Sequence, residues 1–333
     1  MIDRRRTVAL RPLIPVLILG LLLAACGGGG KSGGDEDRTI YAGLNDPTDK
    51  TIAVLSFLPS TATVEVGASV RWAFLGPEPH TVTFVPPGAK QPLPTDADAT
   101  SVVPAKGPWD ATTKVSSGLI GATKPGQFKM TFGKAGKFTY YCAIHPRMSA
   151  TLNVVAAGQK SDTRKDFVTR GKAERDRYLA EGRSAKKTYA ATQPKQARNA
   201  DGSSTWTVEM GLGTPHTEIL AFQPAPLKIK KGDKVVFVNN SGVPHTASFA
   251  GTKQIPQNPE SAEAMNAAPG KSPQTLNATT FFNTGWLPPN SPPGAGPPLP
   301  ARSFTFKVAS AGTYAYVCIL HVPSGMAGSL EAT

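Results

Sequence analysis

Along much of this chain apolar and polar residues alternate with a period of two. Ala62, Val64 and Val66 share one parity, Val82 and Phe84 share the parity of His80, and Phe128, Met130 and Phe132 alternate with Lys129 and Thr131. Phe138, Tyr140 and Cys142 repeat the pattern. Such alternation predicts half-buried strands, and Val66-Gly67, Pro86-Pro87-Gly88 and Lys134-Ala135-Gly136 supply the turns between them. His80 and Cys142 are thereby predicted to sit at strand ends with their side chains facing a core.

The pattern occurs twice. Phe57 and Phe222, Pro59 and Pro224, Gly67 and Gly232, and His80 and His245 are each 165 positions apart, whereas Gly136 and Gly312, Cys142 and Cys318, and His145 and His321 are 176 apart. The second copy therefore carries 11 more residues between its first histidine and its cysteine. Much of that region is polar or proline-rich, notably Trp286 to Ala301, which reads as an extended surface loop. A length of 333 residues suits two domains, and 33 Gly with 31 Pro favour loop-rich β structure over a helical bundle.

Each copy ends in the same chemistry. Cys142, His145 and Met148 lie in one short stretch, and Cys318, His321 and Met326 in another. Soft sulfur beside imidazole suits copper, and two histidines, a cysteine and a weak axial methionine form the blue-copper electron-transfer site. His80 and His245 provide the missing imidazoles.

On these residues the chain resembles the plastocyanin/azurin family of blue copper proteins, the cupredoxins. Cys-x-x-His-x-x-Met in the first loop is similar to amicyanin, and Cys-x-x-His-x-x-x-x-Met in the second to plastocyanin and pseudoazurin. The resemblance implies two tandem Greek-key β-sandwich domains, each binding one type 1 copper that cycles between Cu(II) and Cu(I). The metal ligands would be His80, Cys142, His145 and Met148, and His245, Cys318, His321 and Met326. It also implies that the loop histidine, His145 or His321, lies at an apolar surface as the electron port, and that Tyr141, where the second copy has Val317, marks a second route. Where the family has Asn after the first histidine, this chain has Thr81 and Thr246, each able to donate one hydrogen bond toward the cysteine loop.

The remaining segments set the context. Arg4, Arg5 and Arg6 precede an apolar run from Pro12 to Ala25 that is short for a membrane span. Leu23-Ala24-Ala25-Cys26 is similar to a bacterial lipobox, so residues 1–25 are expected to be a lipoprotein signal, with lipid on Cys26 and a glycine-rich tether over 26–38. The domains are then expected over 39–157 and 205–333. Between them a connector over 158–204 has 12 Lys/Arg against 5 Asp/Glu from Lys160 to Arg198. Phe167, Tyr178, Ala185 and Tyr189 give it a thin helical stripe over 162–189, although Gly171 and Gly182 each cost about 1 kcal/mol within a helix. In an exported protein such a stretch suits anionic lipid, wall polymer or an acidic redox partner better than nucleic acid.

With Cys26 assigned to lipid and Cys142 and Cys318 to metal, no disulfide is expected. His216 is left over and reads as structural, and Met130, Met210 and Met265 read as packing residues. An oxidase or reductase with a second kind of copper site would need further histidines beside the cysteines, where Tyr141, Ala143, Val317 and Ile319 stand. The expectation is an electron carrier that is not an enzyme, lipid-anchored at the outer face of a bacterial cell membrane, with a redox protein as donor and another as acceptor. Copper storage or delivery is the alternative.

Overall fold

The computed structural model describes residues 38–94, 96–121, 126–256, 261, 272–290 and 302–333. The signal and lipobox stretch, the tether up to residue 37, Met265 and the proline-rich residues 291–301 lie outside the described residues.

Each half is a β-sandwich, and the alternation read from the sequence settles which side chains face its core. Ala62 and Val64, Val82 and Phe84, Met130 and Phe132, and Phe138, Tyr140 and Cys142 are all buried. In the first half Trp72, Phe84 and Tyr140 pack ring against ring with centroids 4.7–5.7 Å apart. The second half does the same with Phe237, Phe249, Phe306 and Tyr316. Offset and edge contacts of this kind contribute about 0.5–1.5 kcal/mol per pair beyond burial.

One sheet of each sandwich is its own. Among the described residues a 6-stranded sheet covers the first core and a 5-stranded sheet the second. The opposing layers are not separate: they form one 10-stranded sheet that runs through both halves. The seam is an antiparallel pairing of Ile52–Leu58 with Thr217–Gln223, in the register Thr217 to Val54, Glu218 to Ala53 and Ile219 to Ile52. Leu55 N–H donates to the His216 carbonyl and Leu220 N–H to the Thr51 carbonyl, so ladder hydrogen bonds join the halves.

The helix expected between the halves is present as Arg164–Ala190, opened by a Thr163–Asp166 capping box. It lies over the seam. Tyr178 and Leu179 pack with Val54 and Leu58, and Tyr189 packs with Ile52 and Ile219. Its two glycines sit where the helix presses closest to the sheet: a β-carbon on Gly182 would come within 2.5 Å of Ile52 Cγ2, and one on Gly171 within 3.3 Å of the Leu58 backbone. Fully burying a large apolar side chain contributes about 1.5–3 kcal/mol, so the packing that these glycines permit outweighs their cost in helix propensity. Arg183 pairs with the fully buried Asp46, and Lys186 with Asp49, at 2.6 and 2.5 Å. Part of the basic charge is thus paired with carboxylates of the first half. A strand not foreseen from sequence, Lys195–Arg198, follows and pairs with Ser204–Gly213.

Candidate metal centres

His80 follows a proline-flanked turn and is held to the opposing chain by paired bonds with Ile120, its N–H to the Ile120 carbonyl at 2.8 Å and the reverse at 2.9 Å. His245 is held to Leu287 in the same way at 3.2 and 2.8 Å. The strands Gly136–Tyr141 and Gly312–Val317 deliver Cys142 and Cys318 at their ends. Each cysteine N–H then donates to its methionine carbonyl, Met148 at 2.9 Å and Met326 at 3.0 Å, and each methionine N–H donates to its loop histidine carbonyl. Two residues separate His145 from Met148 and four separate His321 from Met326. The longer spacer coils as a 3-10 turn, Ile319–Ser324, and reverses at Gly325 with φ +83°. Loops of different length therefore close on the same hydrogen bonds.

These placements bring His80, Cys142 and His145 together, and likewise His245, Cys318 and His321, with the donor atoms of each set within 4.8 Å of one another. In the first, the two Nδ1 atoms are 3.0 Å apart, and Cys142 Sγ lies 3.8 Å from His80 and 3.4 Å from His145. In the second the corresponding distances are 3.1, 3.6 and 3.2 Å. Met148 and Met326 are buried beside them, each 1% exposed. The same ring nitrogen of all four histidines converges with a sulfur, a donor set that fits copper. Met130 and Met210 lie in the apolar cores, and Cys142 and Cys318 are free thiols.

Surrounding groups orient the ligands. Thr81 N–H and Thr246 N–H each donate to the cysteine sulfur at 3.3 Å. Their hydroxyls accept, rather than donate, the bond to the cysteine loop: Ala143 N–H to Thr81 Oγ1 at 2.7 Å and Ile319 N–H to Thr246 Oγ1 at 2.9 Å. Thr83 and Ser248 continue the two networks. The opposite edge of each strand histidine rests on a glycine bulge, Gly43 at φ +69° and Gly211 at φ +74°, where the register of the strand pair slips.

The electrostatics divide the sites. Burial drives His80 down to about 3 and holds His145 and His245 well below the usual histidine range, which keeps these rings neutral as metal binding requires. Burial also lowers His321, but the Glu78 carboxylate and the Cys318 sulfur beside it lift it to about 9. Burial raises the Cys142 thiol, whereas at Cys318 the neighbouring His321 overcomes burial and lowers it.

The loop histidines do not lie at an exposed surface. His145 and His321 are 7% and 4% exposed, and His321 Nε2 lies 3.4 Å from Glu78 Oε2 in the opposite half. Of the apolar residues that flank the histidines in sequence, Pro77, Pro79, Pro146 and Pro244 are half-buried, and Val322 and Pro323 are exposed. The fused sheet turns the ends that carry the two candidate clusters toward one another. Glu78, Ser324, Ser241 and the Arg147–Glu218 pair were not singled out in the sequence. Glu78 stands two residues before His80, but nothing local marks it as facing the other half. His216, the spare histidine, stacks on Tyr178 at 3.9 Å and belongs to neither cluster. Tyr141 and Val317 are both half-buried.

The family described as "Copper binding proteins, plastocyanin/azurin family" matches residues 208–283, which include His245. Plastocyanin from Scenedesmus fuscus is 28% identical over 124 residues, covering 37% of this chain and 95% of that protein. Chloroplastic plastocyanin from Tetradesmus obliquus is 30% identical over 111 residues, covering 33% of this chain and 57% of its own length. That from Chlamydomonas reinhardtii is 30% identical over 124 residues and is spanned over 64% of its length. Among solved structures, an oxidised amicyanin mutant aligns at 18% identity over 35% of this chain and 81% of its own, with a TM-score of 0.23. Oxidised plastocyanin from Dryopteris crassirhizoma aligns at 23% identity over 35% and 98%, also at 0.23.

Proposed function

We propose, from the similarity of this chain to the plastocyanin/azurin family of copper-binding proteins, that it is an electron carrier with two type 1 copper sites, one in each half. His80, Cys142, His145 and Met148 hold the first copper, and His245, Cys318, His321 and Met326 hold the second. The observation that carries this reading is the convergence of two buried Cys-His-His sets at repeat-related positions. Bound copper supplies a one-electron couple between Cu(II) and Cu(I). The chain keeps His80, His145 and His245 neutral, fixes each sulfur by a backbone N–H and excludes water from the ligands.

Carriage is favoured over storage or delivery because every ligand is buried and tied into a ladder or a closed loop. A delivery protein must release its metal, which this framework resists. Reversible redox cycling with full retention of copper supports carriage. Transfer of copper to a chelator at each reduction would support delivery.

The working division is a lipoprotein signal over 1–25, a tether over 26–38, copper domains over 39–157 and 205–333, and a basic connector over 158–204. The lipid on Cys26 holds the chain at the outer face of a bacterial membrane, where it passes electrons between a redox donor and a redox acceptor. It performs no catalysis of its own.

A further inference from the structure

The two copper sites differ most where their histidines face away from the metal. With Nδ1 turned to the metal, Nε2 carries the hydrogen, and what accepts that hydrogen sets how much electron density the ring can offer. In the second site both rings face an oxygen atom. Ser241 Oγ, whose own hydrogen goes to the Val243 carbonyl, lies 2.8 Å from His245 Nε2. Glu78 Oε2 faces His321 Nε2 at 3.4 Å, and Ser324 Oγ donates to Glu78 Oε1 at 2.7 Å to hold the carboxylate there. Glu78 itself is only 6% exposed.

In the first site the counterparts are missing. By the 165-residue offset, Gly76 stands for Ser241 and Val243 for Glu78. Among the described residues His80 Nε2 has no hydrogen-bond partner. The bonds to sulfur do not separate the sites, because Thr81 and Thr246 donate at the same 3.3 Å.

We propose that Glu78 is a positioning residue for His321 that links the two sites and sets the direction of transfer, the second site giving its electron to the first. This rests on the two-copper reading above. A carboxylate charge beside one ligand ring and a hydroxyl accepting from the other favour the more positive metal state, so both differences lower the potential of the second site relative to the first. Glu78 is also joined through Pro79 to His80, so the contact with His321 completes a short covalent and polar path between the centres. One electron passes, the second site being oxidised and the first reduced, and no proton or further reactant is consumed.

The test is Glu78→Gln in the full copper-loaded chain, with each site isolated in turn by Cys142→Ser or Cys318→Ser. Glu78→Gln raises the second-site potential so that the equilibrium between sites falls about tenfold, which is about 59 mV for a one-electron couple, and leaves the first site within a third of that. Ser324→Ala, which loosens the carboxylate but keeps its charge, shifts the second site in the same sense by less. In the metal-free chain the ¹⁵N resonance of His321 Nε2 moves in Glu78→Gln while that of His245 does not. An unmoved second-site potential with both blue bands intact overturns this inference alone, as does a larger shift at the first site. Absence of blue bands from the unmodified protein overturns the two-copper reading instead.

Discussion

Gly211 passes so close to His245 that a β-carbon on it would come within 2.5 Å of the ring's Nε2 and 2.9 Å of Ser241 Cβ. Gly43 stands in the same relation to His80, and a β-carbon there would collide with the ring edge. Both glycines also have a positive φ that other residues adopt only with strain. Gly211→Ala is therefore expected to lose the second blue absorption band and keep the first, and Gly43→Ala to do the reverse. Copper quantitation on each variant checks this; two full copper equivalents in either would show that the bulge does not set the histidine.

Gly182→Ala tests the seam. Alanine improves helix propensity by about 1 kcal/mol, but its methyl meets Ile52 Cγ2 at 2.5 Å, and overpacking of that kind costs about 1–3 kcal/mol. A lower midpoint of thermal unfolding is expected. A higher one would mean that the helix can lift from the sheet without loss.

Glu218 gives the junction a pH dependence. It is buried, receives the Gly242 N–H at 3.0 Å and pairs with Arg147, yet burial outweighs these and raises its carboxyl from the usual 4.5 to about 7. The folded chain thus holds this proton more tightly than the unfolded chain. Its contribution to stability is full below about pH 4.5 and declines as pH rises to about 7. Denaturant titrations across this window are expected to show the decline in the unmodified chain and a flatter profile in Glu218→Gln. An identical slope in both would exclude Glu218 as its source.

The proposed lipid anchor carries its own prediction. Cys26→Ala is expected to move the protein from the membrane fraction to the soluble fraction or to block maturation. Unchanged fractionation of the variant, with no labelled fatty acid on the native chain, would contradict a lipid anchor.

The strands and the site were legible because their signals are local. Phe138, Tyr140 and Cys142 share a parity, so the sequence alone turns the cysteine inward, and Cys142, His145 and Met148 fall in one loop. The helix was visible in its spacing, but Gly171 and Gly182 counted against it because their compensation lies in strands more than 100 positions away. The fused sheet could not be read in the same way: Ile52–Leu58 and Thr217–Gln223 have the same pattern whether they lie at an edge or in the middle of a sheet. The expectation of a surface-exposed loop histidine failed for the same reason, since what covers His321 is Glu78 from the opposite half.

The central claim is two blue copper centres per chain, and the visible absorption spectrum of copper-loaded protein with metal quantitation tests it most directly. Two copper equivalents and intense thiolate-to-copper absorption are predicted, with Cys142→Ser and Cys318→Ser each removing one centre and the double variant removing both. Retention of both centres in either single variant, or binding of copper without that absorption, would contradict it.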